Sequence, residues 1–211
     1  MNKRKKFPLI SPFLSLNLVN TEAVSHGRRH ELLSEDQDLL DWLHIMCEEI
    51  PSLDKTILTM SQSELTEVLH LIYDFRLCLR NNFESIADGN SIDNKWILSL
   101  ERNIEKAPYV FKIHAQQLLQ IPTGSIVNKL FSLLSLDALQ LISEGQLNKI
   151  RRCSNPDCVL LFIDTTGRRK WCSMKICGNR QKAARFQDKK DRGEKITLKI
   201  IIDRLIYKEL K

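Results

Sequence analysis

Residues 151–186 read RRCSNPDCVLLFIDTTGRRKWCSMKICGNRQKAARF and hold four of the chain's six cysteines with nine of its arginines and lysines. Four residues separate Cys153 from Cys158, four separate Cys172 from Cys177, and thirteen separate the pairs. Two short loops of thiolates at such spacing can close around one zinc ion, each loop supplying two corners of a tetrahedron. Disulfides are the competing reading. They are disfavoured in a chain without an export signal whose other two cysteines, Cys47 and Cys78, are not placed as partners of the four. The intervening residues predict "SNPD" as a turn, "VLLFID" as a strand, "TTGR" as a turn, "RKWC" as a returning strand, and "MKICGNRQKAARFQDKK" as a helix.

That order describes a treble-clef-like finger, a β-hairpin followed by a helix. Cys177 falls in the first helical turn, where the positive helix end favours thiolate. The expectation is one structural zinc held by Cys153, Cys158, Cys172 and Cys177, with no open coordination position because no nearby general base could use a zinc-bound water.

Charge divides the chain at the same place. The whole carries a net +6, but residues 7–148 hold 10 Lys+Arg against 19 Asp+Glu, a net of −9, and residues 149–195 hold 14 against 5, a net of +9. An acidic domain joined to a basic module points to nucleic acid or an acidic protein as the partner of the basic half. With 211 residues and 43% hydrophobic content, the chain can bury one core and carry a small appended module, which argues against disorder. The start "MNKRKKFPLISPFLSLNLV" is basic then apolar, yet Pro8 and Pro12 split it and no small-residue cleavage site follows, so it does not read as a signal peptide. No apolar run approaches the ~18 residues of a membrane span. A cytoplasmic protein is expected.

The acidic part predicts a mainly α fold. "SEDQDLLDWLHIMCEEI" opens with a Ser34–Gln37 capping box and carries Leu39, Leu40, Leu43 and Met46 at helical spacing until Pro51. In "SQSELTEVLHLIYDFRLCLRNNFESIADG", Ser61 and Glu64 form the box and Leu65, Val68, Leu69, Ile72, Phe75 and Leu79 the apolar stripe, with Gly89 past the end. Further helices are predicted over 93–106 and 125–143, and "YVFKIHAQQLLQI" between them predicts a short β-hairpin. Cys47 and Cys78 read as small core hydrophobes. No Gly-rich phosphate loop, nucleophile elbow or H-E-x-x-H pair occurs, so nothing local argues for an enzyme.

The run "WCSMKICGNRQKAARF", preceded by "CSNPDCVLLFID", resembles the CGNR zinc finger, whose naming residues here are Cys177, Gly178, Asn179 and Arg180. Upstream, "FLSLNLVNTEAV" resembles the opening motif of the ABATE domain, and "LLSEDQDLLDWL" lies where that family carries a similar helix. The resemblance implies a stress-induced bacterial transcriptional regulator organised as an ABATE-like helical domain over 11–145, a CGNR-type finger over 149–193 and an extension over 194–211. It also implies Asn17, Asn20 and Arg28 as ligand-pocket candidates in the first domain.

On the predicted finger helix, Lys182, Arg185, Lys189 and Arg192 share one face, with Lys175 beside them, and this stripe is the expected DNA contact. Arg185 is the candidate base reader, because a guanidinium can pair bidentately with guanine. Ala183 and Ala184 are expected on the opposite side, facing the metal. Arg180 is expected to be structural, through a charge-assisted bond to Asp164 or to a strand carbonyl. Trp171 is expected in a small core beside the zinc, Gly178 to permit close approach, and Asn179 to bond locally. The competing reading is an adaptor, or an RNA-binding protein, whose finger is structural. The basic "NKRKK" at residues 2–6 offers a second contact, and "ITLKIIIDRLIYKELK" could pack as a helix or add a strand to a second copy.

Overall fold

The computed structural model describes residues 7–25, 28–53, 55–114, 116–187 and 190. The basic N-terminal run, Lys189, Arg192 and the extension over 194–211 lie outside the described residues. The chain divides into two compact units, Met1–Lys170 and Trp171–Lys211.

The first unit is mainly helical. It runs α1 (Leu14–Val19), the hairpin β1 (Glu22–Ser25) and β2 (Arg28–Glu31), α2 (Asp36–Glu49), α3 (Gln62–Ala87), α4 (Asn94–Lys106), the hairpin β3 (Tyr109–His114) and β4 (Gln117–Pro122), α5 (Ile126–Ser143), and the short pair β5 (Ile150–Arg152) and β6 (Leu161–Ile163). Each hairpin is a separate two-stranded antiparallel sheet. Four of the helices follow the predicted apolar spacing closely. Ser61 caps α3 and forms the expected box with Glu64, Asp93 caps α4 by accepting from Lys95 N at 2.8 Å, and Ser125 caps α5. The start of α2 differs by one residue. Glu35 stands at its N-cap, and the acceptor is the buried Asp38 carboxylate, which takes bonds from Ser34 N, Ser34 Oγ and Glu35 N. A carboxylate inside the first turn outcompetes the Ser34–Gln37 arrangement because it serves three donors at once and lies at the positive helix end.

One core joins the helices: Leu16 and Leu18 of α1, Leu39, Trp42 and Leu43 of α2, Ile72, Leu79 and Phe83 of α3, and Leu134 and Leu141 of α5. α4 runs against α5, and α1 packs on both α3 and α5. Among the described residues α5 alone is long and apolar enough to cross a membrane, although Asn128, Lys129 and Asp137 interrupt its apolar sequence. Its Leu130, Leu133, Leu134, Ala138 and Leu141 are buried in the core. Ile150 and Leu161 belong to the same core, so β5 and β6 are built into the helical unit.

α1, the β1–β2 hairpin and β5 were not anticipated. α1 begins without a polar cap of its own because Asp137, from α5, accepts from Leu14 N at 2.9 Å, from Ser15 N at 2.8 Å and from Ser15 Oγ. A cap borrowed from 122 residues away leaves no local signature. The β1–β2 hairpin is held by buried arginines of α3. Cys47 is buried as predicted, whereas Cys78 is exposed: it lies on the solvent side of α3, between the exposed Leu77 and the buried Leu79.

Candidate metal centre

Ile150 pairs with Ile163, Arg151 with Phe162 and Arg152 with Leu161. The loop joining these strands, residues 153–160, carries the first two cysteines. Its turn is made by Asn155, which is buried: the backbone carbonyl accepts from Cys158 N at 3.0 Å and the side-chain oxygen from Asp157 N at 3.2 Å. An Asx turn of this kind brings Cys158 back towards Cys153. Cys153 N donates to Leu160 O at 3.3 Å, and Ser154 N to Lys170 O at 2.8 Å.

The predicted hairpin needs correction. "LFI" is a strand, but its partner is "IRR", upstream of the first cysteine, and not "RKWC". Residues 164–169 cannot form a tight returning turn because Asp164 draws the backbone around its own carboxylate, accepting from Thr166 N and Thr166 Oγ1 on one oxygen and from Arg169 N on the other. Burial opposes ionisation of Asp164, yet those bonds and one from Gly167 N prevail and hold its carboxyl below the ordinary range. Arg180, expected to bond Asp164 or a strand carbonyl, is exposed. Arg169 places its guanidinium over the ring of the buried Phe162, 4.6 Å from the centroid.

Side chains of the helices hold β5, the first cysteine loop and β6. Asn20, fully buried, donates from Nδ2 to Leu161 O at 2.9 Å and accepts from Leu161 N at 3.0 Å, so its amide completes the backbone bonding of that residue as another strand would. Arg80 donates to Val159 O at 2.9 Å. Arg152 forms a bidentate pair with Asp88, both distances 2.8 Å, and a further ion pair with Glu84 at 3.1 Å. The other residues suggested for a ligand pocket lie elsewhere. Asn17 is buried and bridges Ser11, accepting from its N–H and donating to its carbonyl, while Arg28 is exposed on the edge of β2. Neither Asn17, Asn20 nor Arg28 lines the cleft formed by α3, α4 and α5.

In the second unit, Ser173 caps the turn that carries Cys177. Its Oγ accepts from Ile176 N at 3.0 Å and its carbonyl from Cys177 N and Gly178 N. Met174–Gly178 is a wide, π-type turn, and residues 179–187 continue as an α-helix, α6. Cys177 thus sits in the first helical turn, as predicted. A Cβ on Gly178 would collide with Met174 Sδ and lie 3.4 Å from Trp171 Cδ1, so the close approach expected at this glycine is made by a flexible side-chain end. Trp171 is half-buried, and Arg185 lies over it with Cζ 5.9 Å from the ring centroid. Lys175, Lys182 and Arg185 are exposed, as are Asn179, Ala183 and Ala184. The two alanines do not form the buried side expected of them, because among residues 179–187 only Gln181 is even partly covered.

The thiols of Cys153, Cys158, Cys172 and Cys177 all lie within 4.8 Å of one another, and Cys153, Cys172 and Cys177 are buried. A tetrahedron of thiolates around zinc, with Zn–S about 2.3 Å, has edges of about 3.8 Å, so the cluster fits one ion with small movements. None of the four is in a disulfide. Four sulfur donors fill the coordination shell, which makes such a site structural. No curated protein matches the chain. The family whose model does match is the CGNR zinc finger, over residues 149–190, a segment that spans β5, the four thiols and α6.

Proposed function

We propose that the protein is a cytoplasmic, non-enzymatic transcriptional regulator that binds DNA through its zinc finger and takes its signal through the helical domain. The observation that carries this reading is the exposed set of cations at the metal centre: Lys175 in the turn of Cys177, then Lys182 and Arg185 on α6, within a segment of net charge +9. Cations fixed on a metal-braced helix gain affinity for a duplex by releasing counterions from its phosphates. The contact of its guanidinium with the Trp171 ring limits the rotamers that Arg185 must give up on meeting a base edge. Zinc orders the finger and takes no part in chemistry. The stress-response and bacterial assignments rest on the resemblance of the opening motif.

A second reading has one observation of its own. Phe186, 71% exposed, and Met174, 45% exposed, stand among those cations and suit an acidic protein partner with an apolar groove. Salt-dependent binding to duplex DNA, to RNA and to an acidic protein, measured side by side on the zinc-loaded chain, separates these readings. DNA binding that weakens steeply with salt supports the regulator, and preference for the protein ligand at moderate salt supports the adaptor.

A further inference from the structure

The exposed face of α3 and the neighbouring α4 and α5 enclose a cleft of about 470 Å³, within the range of roughly 300–1,000 Å³ usual for small-molecule sites. Its floor is aromatic: Phe75 and Phe131 meet edge to face with centroids 5.3 Å apart, and Leu71 and Val127 extend the apolar wall. Arg102 and Lys106 belong to the lining and stand one turn apart on α4, so both face the same way. Asp74 is the carboxylate of the lining, which leaves two cations against one acid. Asn103 is oriented by its bond from Nδ2 to Ser135 Oγ at 3.1 Å. Cys78, exposed on α3, opens on the same cleft, and partial burial of its thiol raises its pKa.

We propose that this cleft binds a small amphipathic acid, an acyl or aryl monocarboxylate whose apolar body lies on Phe75 and Phe131 and whose carboxylate meets Arg102 and Lys106. A cationic amphipath would meet two like charges there, and a dianion such as a phosphate ester would place its second charge near Asp74 over an apolar floor. The site gives the sensing role of the helical domain a ligand class, and so it rests on that part of the proposed function but not on DNA binding.

Cys78 provides the readout. Cys47 is buried and the other four thiols belong to the metal centre, so maleimide labelling of the full-length, zinc-loaded chain, followed peptide by peptide in mass spectrometry, reports on the cleft. Octanoate is expected to slow labelling of Cys78, while octylamine, with the same tail and the opposite charge, leaves it unchanged. In the double variant R102Q/K106Q, protection is expected to need about tenfold more octanoate, the equivalent of a ~1.4 kcal/mol loss. Equal protection by octylamine, or an unshifted octanoate titration in the variant, would overturn the carboxylate assignment. If neither octanoate nor the aryl acid indole-3-acetate protects Cys78, the cleft is not the site. No DNA is present in the assay, so a failure of DNA binding leaves this result standing.

Discussion

Arg80 occupies a position where the helical spacing of α3 calls for an apolar side chain, and it is 3% exposed. Its guanidinium bonds Val19 O at 2.5 Å, Val159 O at 2.9 Å and Glu84 at 3.1 Å, and Nε lies 2.6 Å from Glu22. Arg76, one turn earlier, bonds Thr21 at 2.7 Å and pairs with Glu31. Both fall on the stripe that continues from Leu65, Val68, Leu69 and Ile72, a placement the apolar pattern did not reveal, and arginines on a buried face require paired acceptors. What the sequence could not supply was their partners, which come from α1, β1, β2 and the first cysteine loop. Arg80→Ala should cost about 3–5 kcal/mol, because it leaves Glu22 and the carbonyls of Val19 and Val159 short of a partner in poorly solvated surroundings. Urea unfolding of the zinc-loaded chain measures this, and a loss under about 1 kcal/mol, the scale of a surface pair, would rule the network out as a stabilising element. Asp137 gives a prediction of opposite character. Burial raises its pKa, and the bonds from Ser15 and Leu14 only partly offset that. A carboxyl with a raised folded-state pKa contributes stability that is complete below the unfolded value and is lost as pH rises through the folded one. Stability measured against pH should therefore fall more, from the ordinary carboxylate range upwards, in the parent than in Asp137→Asn. Parallel curves would contradict the raised pKa.

Elements were legible in proportion to how locally they are specified. α3, α4, α5 and the β3–β4 hairpin carry their own caps, stripes and turns, and each was readable within a residue or so. α1, capped by Asp137, and the β1–β2 hairpin, held by Arg76, depend on distant groups and were not. The cysteine loops were readable as metal ligands from spacing alone, yet the strand partner of "LFI" was misassigned because β5 precedes the first cysteine and has only three residues. α6 shows the same limit from the other side: its helical conformation was legible, but its lack of a buried alanine side was not, since periodicity assumes that a helix buries one face. The cations on this element carry a direct test. Exchanging Lys182 and Arg185 for glutamine should flatten the dependence of log affinity on log salt by about 0.9 for each phosphate no longer neutralised. Zinc content should stay unchanged, because neither residue is a ligand. Arg185→Lys should keep the salt slope and lose discrimination among duplex sequences, since lysine lacks the bidentate fork. A variant with both the slope and the discrimination of the parent would remove Arg185 from the interface.

For the whole molecule, the change of charge and the cysteine cluster suggest a boundary near residue 148, with an acidic domain on one side and an autonomous finger on the other. The packing of the first unit suggests a different division. Ile150 and Leu161 are in the helical core, the Asn20 amide is matched to the backbone of Leu161, and Arg80 reaches Val159. A chain ending at residue 148 would strip these partners while leaving Asn20 and Arg80 inside. An unsatisfied buried amide costs about 1–3 kcal/mol, and an arginine losing one of its acceptors adds to that. Removing Ile150 and Leu161 also leaves a cavity, at about 2–5 kcal/mol for each large aliphatic side chain deleted. Against a total stability of roughly 5–15 kcal/mol, losses of this size unfold a domain. A truncation at 148 should therefore show a broad, non-cooperative thermal transition, whereas one at 170, which keeps β5, β6 and the Asp164 turn, should melt cooperatively. Circular dichroism on the two fragments checks this directly. In the full chain, stripping zinc with a chelator should loosen the loop over 153–160, and hydrogen exchange should then quicken at Leu161 N and along α1, near Asn20, as well as in the finger. If α1 keeps its protection after metal removal and the fragment ending at 148 melts as sharply as the longer one, the first cysteine loop is a passenger on the helical domain and not part of its structure.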